Sequence, residues 1–78
     1  MINRELKTVV TFHTAADAIA TEKACKSNNV AGRIIPVPRE LSSGCGLSWA
    51  SSPELRKVLE ELLSRYNIEA EQITDLLI

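Results

Sequence analysis

The fold is decided by residues 51–66, which read SSPELRKVLEELLSRY. A serine cap, a proline in the first turn and an early acid are the usual signals of a helix start. Apolar residues then recur every three or four positions, which places them on one helical face. They are Leu55, Val58, Leu59, Leu62, Leu63 and Tyr66. The pattern predicts an amphipathic helix that contributes much of the core.

The first strand and the first helix are predicted upstream of this segment. Residues 6–12 are rich in β-branched side chains and have the length of a strand. Thr14, followed three positions later by Asp17, resembles a capping box and favours a helix start there. The helix is expected to stop at residues 28–29, because asparagine tolerates a left-handed backbone. Its apolar stripe is weak and consists mainly of Ala15, Ala18, Ile19 and Cys25.

Three further strands complete the order. Residues 30–38 predict a second strand, whose end is marked by two prolines that cannot donate to a ladder. A loop rich in Ser and Gly covers residues 39–46, and residues 47–50 predict a short third strand in which Trp49 packs on the sheet face. Residues 68–73 alternate as a last strand would. The order β-α-β-β-α-β predicts an α+β, ferredoxin-like βαββαβ fold: a four-stranded antiparallel sheet with two helices on one face.

Length and composition favour a single small domain over residues 1–78. Apolar residues make up 45% of the chain and charged residues 24%, which is the mix of a folded domain. The net charge of −1 and the 4% aromatic content argue against nucleic-acid binding. No signal peptide or membrane span is recognised, so we expect a cytoplasmic protein without membrane contact.

Charge is unevenly distributed along the chain. Residues 1–39 hold six Lys and Arg against three acids, whereas residues 40–78 hold three against seven. Solvated helix faces account for such a pattern, and so does a basic surface that meets an anionic group. The sequence is compatible with both.

Cys45 is the candidate reactive group. In the ferredoxin-like plan the end of the first strand meets the start of the third, so His13, the helix start, the loop and Cys45 lie at one end of the sheet. The helix N-terminus, the backbone N–H groups around Gly44 and Gly46, Arg39 and His13 would each favour a thiolate there. The flanking glycines also leave the sulfur uncrowded for a partner protein.

Both cysteines also allow a purely structural role. Cys45 can be a small packed residue between turn glycines. Cys25 lies on the helical stripe and is expected in the core. A Cys25–Cys45 disulfide is compatible with the sequence, although a reducing compartment argues against it. The chain lacks the paired ligand spacing of a metal site, and neither a metal nor a bound cofactor is expected.

Residues 35–47, IPVPRELSSGCGL, carry the long motif Pro-x-Pro-Arg-x-Leu-Ser-Ser-x-Cys-Gly. In this motif, and through most of its length, the chain resembles a family of small bacterial proteins described as selenium/sulfur carrier-like. The resemblance implies a ferredoxin-like fold in which one exposed cysteine, here Cys45, is the carrier atom. Family members often look like companions of sulfurtransferase-like proteins. Cys25 matches no part of the motif.

The resemblance also implies a mechanism. The Cys45 thiolate would take sulfur or selenium from a persulfide-bearing donor protein, hold it as a persulfide or selenopersulfide, and yield it to an acceptor protein. Arg39, the Ser42 and Ser43 hydroxyl groups and the loop N–H groups would stabilise the terminal anion. Such a protein is at most a sulfurtransferase-like carrier rather than a turnover enzyme. A non-catalytic interaction module and a thiol redox sensor are the alternatives, and the oligomeric state is not determined by the sequence.

Overall fold

The computed structural model describes residues 4–41 and 44–78, and its elements follow the predicted order β-α-β-β-α-β. They are β1 (Leu6–Phe12), α1 (Ala15–Ser27), β2 (Arg33–Pro36), β3 (Leu47–Ser51), a 3-10 turn (Pro53–Leu55), α2 (Arg56–Arg65) and β4 (Ala70–Leu77). The strands form one sheet in the order β2-β3-β1-β4, and every neighbouring pair is antiparallel. This is the ferredoxin-like α+β fold, so the predicted fold class is confirmed. In the part of the chain that the structure describes, no helix is both long and apolar enough to cross a membrane.

Strand β1 is central and is buried on both of its faces. Val10 and Phe12 join the core beneath the helices, whereas Val9 and Thr11 point to the opposite face and are also fully buried. The segment after β2 runs along part of that opposite face. Residues 36–40 border the same depression as Ile78, although Ile78 lies at the other end of the sheet from the end of β2. The segment therefore turns back along this face.

Helix α1 begins and ends as the sequence predicts. The Thr14 hydroxyl accepts the Asp17 N–H at 3.2 Å, so the predicted cap is confirmed. At the other end Asn29 has φ +57°, and the Val30 N–H donates to the Cys25 carbonyl at 2.8 Å. The left-handed asparagine thus closes the helix and turns the chain towards β2.

The buried face of α1 differs from the predicted stripe. The buried residues are Ala18, Thr21, Ala24 and Cys25, whereas Ala15 is exposed and Ile19 is 47% exposed. Thr21 can be buried because its hydroxyl donates to the Asp17 carbonyl at 2.9 Å, which satisfies its polar group inside the helix. Small side chains on this face allow close contact with the sheet, so packing rather than hydrophobicity alone selects the face.

The second helical segment starts as a 3-10 turn and becomes α-helical at Arg56. Ser52 occupies the cap position but makes no side-chain cap hydrogen bond. Leu59, Leu62 and Leu63 are buried, whereas Val58 and Tyr66 of the same apolar stripe are 39% and 47% exposed. The other elements therefore do not cover the whole stripe.

Two strands have bounds different from those predicted. Strand β2 spans only Arg33–Pro36 within the predicted 30–38, because residues 30–32 are used in the turn from α1. Strand β4 begins at Ala70 rather than at Ile68, whose N–H donates to the Leu63 carbonyl at 2.9 Å and so ends α2. The hydrogen bonds that end α1 and α2 therefore determine where β2 and β4 start.

Trp49 is the largest buried side chain, and its predicted packing role is confirmed. Its indole N–H donates to the Ser51 hydroxyl at 2.8 Å, and that hydroxyl donates to the Ala31 carbonyl at 2.7 Å. Burying an indole requires such a partner, since an unpaired N–H in the core is costly. The pair of hydrogen bonds ties β3 to the segment that precedes β2.

Candidate functional site

Cys45 lies two residues before β3 and is partly buried. Cys45, Leu47 and Trp49 are spaced two residues apart. All three side chains contact the core beneath the helices. The side chain is therefore packed against the core, while the residue stays partly exposed. A thiol held this way has a fixed position but can still be reached by a reagent.

The Cys45 sulfur folds back onto the backbone of its own strand. The Leu47 N–H donates to Sγ with 3.4 Å between nitrogen and sulfur, and Sγ lies at the same distance from the Leu47 carbonyl oxygen. An N–H donor stabilises a negative charge on sulfur, whereas the carbonyl can accept only from the protonated thiol. The Leu47 N–H is therefore the one of these two contacts that suits a negatively charged sulfur.

Sequence reasoning expected backbone N–H donors around Gly44 and Gly46 but did not identify the N–H of Leu47 as the donor. The only signal available was the position of Cys45 two residues before a strand, since short polar side chains often bond to the backbone two residues further on. That pattern is common in turns and does not by itself identify a functional group.

The two glycines beside Cys45 play different parts. Gly46 has φ +76°, and a Cβ atom built there would meet nothing within 4 Å, so backbone conformation rather than crowding requires glycine. Its carbonyl accepts the Val37 N–H at 3.1 Å, which closes the base of the loop. A Cβ at Gly44 would lie 3.7 Å from the His13 carbonyl oxygen. The cysteine loop and the end of β1 therefore meet at the same end of the sheet, as the topology predicts.

The imidazole of His13 is directed towards Glu69. Nε2 lies 3.8 Å from Oε1 of Glu69, and the His13 side chain is more than half exposed. The backbone of His13 is thus next to the cysteine loop, while its ring is paired with an acid that precedes β4.

Arg39 lies in an exposed turn closed by a hydrogen bond from the Leu41 N–H to the Pro38 carbonyl at 3.0 Å. It borders the depression on the sheet face opposite the helices, together with Arg4 and Ile78. Cys45 packs on the other face. Ser42 and Ser43, the other predicted anion-binding side chains, lie outside the described residues.

Cys25, unlike Cys45, is enclosed by the core. It is fully buried in the core, and this desolvation raises the pKa of its thiol from 9.0 to about 11. Neither cysteine is in a disulfide. The prediction that Cys25 is a core residue is confirmed, and we expect Cys45 to be the thiol that reacts.

The burial of Cys25 predicts a loss of stability at alkaline pH. The unfolded chain releases the thiol proton near pH 9.0 and the folded chain only near pH 11, so ionisation favours the unfolded state between these values. The free energy of unfolding should be unaffected below this window and should fall by about 3 kcal/mol as pH rises through it, at 1.36 kcal/mol per pKa unit. Urea unfolding at a series of pH values measures this change.

The control is Cys25→Ala, which removes the titrating group and leaves the other alkaline groups in place. The difference in unfolding free energy between the two proteins should shrink or reverse as pH rises. A difference that stays constant across the window would contradict the proposed desolvation of Cys25.

The described residues 4–41 and 44–78 contain no group of three or more His, Cys, Asp and Glu side chains placed to hold a metal ion. No curated protein and no solved structure matches the chain significantly. One family model does match, over residues 7–75, and its description is "Putative Se/S carrier protein-like". The match includes all of β1 except Leu6, both helices, the whole cysteine loop and most of β4. The chain therefore belongs to this Se/S carrier protein-like family.

Proposed function

We propose that this protein carries sulfur or selenium on Cys45 between a donor protein and an acceptor protein. The single observation that supports this best is the state of Cys45 itself: a partly accessible thiol, fixed against the core, with a backbone N–H directed at its sulfur. Membership of the Se/S carrier protein-like family supports the same function. The other cysteine is buried and has a raised thiol pKa, so it is a poor candidate for the carrier.

The transfer needs no external oxidant. The Cys45 thiolate attacks the terminal sulfur of a donor persulfide, R–S–SH, and a new bond forms between Sγ and that sulfur while the donor S–S bond breaks. The donor leaves as a thiolate, and Cys45 holds a persulfide. An acceptor nucleophile then attacks the terminal atom, and the Cys45 thiolate is the leaving group. With R–S–SeH as donor, the same exchange moves selenium.

The N–H of Leu47 has a role in both steps. It favours the thiolate that attacks, and it favours the same thiolate when it leaves. We assign stabilisation of the terminal anion to the Ser42 and Ser43 hydroxyl groups and to the loop around Gly44 and Gly46, with His13 beside it, and not to Arg39, which lies on the other face of the sheet. For these residues the motif is the main support, and the contact between Gly44 and the His13 backbone is the described geometry that fits.

Membership of a carrier family supports proteins as the partners of this reaction. Gly44 and Gly46 are exposed and carry no side chain, so a partner backbone can approach the sulfur closely. No bound cofactor takes part in the proposed exchange. We place it in the cytoplasm, where a reducing pool keeps Cys45 from forming disulfides.

Incubation of the protein with cysteine persulfide tests this function. Intact mass spectrometry should show the gain of one sulfur atom, and peptide mapping should place it on Cys45. The Cys25→Ala protein is the matched control and should load to the same extent. Absence of added sulfur on Cys45, or sulfur found chiefly on Cys25, would overturn the proposal.

A further inference from the structure

A cleft of about 640 Å³ lies on the sheet face opposite the helices, at the end of β3 remote from Cys45. Its size falls within the range of about 300 to 1,000 Å³ that is usual for small-molecule sites. Ala50 is five residues along the chain from Cys45, which corresponds to roughly 16 Å at the rise of a strand. A molecule bound in the cleft therefore does not touch the sulfur, and the site is independent of the proposed carrier reaction.

Small side chains produce the cleft. Its lining includes Ala31, Gly32, Ala50, Ser51 and Ser52, which come from the end of β3 and the segment before β2. Ala50 on β3 stands between Arg33 on β2 and Val9 on β1, so a small residue is flanked by two longer ones. Because the side chains here are short, the sheet surface is depressed between its neighbours.

Two cations border this depression. Arg33 lies opposite Ala50 on one side, and Lys7 precedes Val9 on the same face of β1 on the other side. Strand β3 lies between the two strands that carry these cations, so β1 and β2 are about 10 Å apart at the usual strand spacing. Both long side chains can therefore reach a ligand above Ala50. An oxyanion is the group that an arginine fork and an ammonium group hold best.

The acids nearby do not cancel this charge. Glu5 also lines the cleft and pairs with Lys7, with 3.3 Å between Nζ and Oε2. Arg33 has no ion-pair partner among residues 4–41 and 44–78. The adjoining depression on the same face adds Arg4 and Arg39 against Glu40. Four basic residues from the first half of the chain are thus gathered on one face of the sheet.

We propose that this cleft binds a small molecule bearing a carboxylate or phosphate group, held between Lys7 and Arg33. The apolar part of such a molecule rests on Ile35 and Ala50, which line the same cleft. Glu5 limits the affinity, because it shares the ammonium group of Lys7. The carrier reaction is not needed for this binding, so the two proposals fail separately.

Titrations of the isotopically labelled protein with inorganic phosphate and with citrate, followed by NMR, test the site and distinguish the two oxyanions. Saturable shifts are expected for the backbone amides of Gly32, Ala50 and Ser51. Arg33→Ala should raise Kd by about tenfold, the loss expected for one charge-assisted contact. Glu5→Gln should lower Kd, because Lys7 then loses its competing partner. Lys57→Ala, an exposed change on α2, is the matched control and should bind as the original protein does.

Several outcomes would overturn the site. They are linear, unsaturable shifts with both anions, an unchanged Kd in Arg33→Ala, or shifts centred on α2. Binding of a glutamate-rich peptide without binding of either small oxyanion would also overturn it and would assign the basic face to a protein partner instead.

Discussion

Replacing Cys45 with Ser is expected to abolish sulfur loading while leaving the fold intact. Oxygen has the same valence as sulfur and can keep both contacts with the Leu47 backbone, and the side chain is only partly buried. The free energy of unfolding should therefore change by about 1 kcal/mol or less. A serine hydroxyl is scarcely ionised at neutral pH and cannot form a persulfide, so the added sulfur mass should disappear completely.

The same variant separates the carrier from the two alternative functions. A carrier loses transfer but still binds its donor, whereas an interaction module keeps all of its activity without the thiol. Sulfur transfer from a persulfide donor to a thiol acceptor, measured beside unfolding by urea, gives both readouts. Persistent transfer by Cys45→Ser would exclude the carrier mechanism. Sensitivity of Cys45 to mild peroxide, without any sulfur loading, would instead support a redox sensor.

Gly32→Ala is expected to lower the free energy of unfolding by about 3 kcal/mol, at the upper end of the usual cost of overpacking. A Cβ atom at this position would lie 2.5 Å from the Ser51 hydroxyl oxygen and 2.6 Å from both the Ala50 carbonyl oxygen and a ring carbon of Trp49. The carbonyl belongs to the sheet, and the indole is buried. The hydroxyl is held by two hydrogen bonds, so none of the three can easily move aside.

The matched control for this change is Gly44→Ala. Among the described residues, the added methyl group at Gly44 would meet the His13 carbonyl oxygen at 3.7 Å, which is an ordinary contact. The control should alter stability by no more than about 1 kcal/mol, in either direction. Urea unfolding followed by the fluorescence of Trp49 compares the two. Equal stability of both variants would show that the segment before β2 can move away from Trp49.

The elements whose local signals are strong were predicted from the sequence. Thr14 and Asp17 mark the start of α1, and the structure shows the capping hydrogen bond between them. Asn29 ends that helix in the left-handed conformation. The first strand, residues 6–12, has the predicted bounds. Each of these features depends on residues close to one another in the chain, so no tertiary contact is needed to specify them.

The faces of the helices were harder to predict. Ile19 is more hydrophobic than Thr21, yet Ile19 is exposed and Thr21 is buried, because the sheet accepts the small face of α1. Val58 and Tyr66 belong to an apolar stripe that the remaining elements do not fully cover. Hydrophobicity identifies which residues can be buried, but the shape of the opposing surface selects among them.

For the candidate site, the sequence determined which residue is the candidate for the chemistry and which end of the sheet it occupies. The order of the elements brings Cys45 to the end of β1, and the motif around it singles out the thiol. Only the tertiary structure decided the surroundings of that thiol, including its packing against the core and the placement of Arg39 on the other face. Local sequence encodes the order of the helices and strands, and this order determines which segments lie at the same end of the sheet. Contacts between distant side chains depend on how the surfaces pack, and a single sequence does not record that.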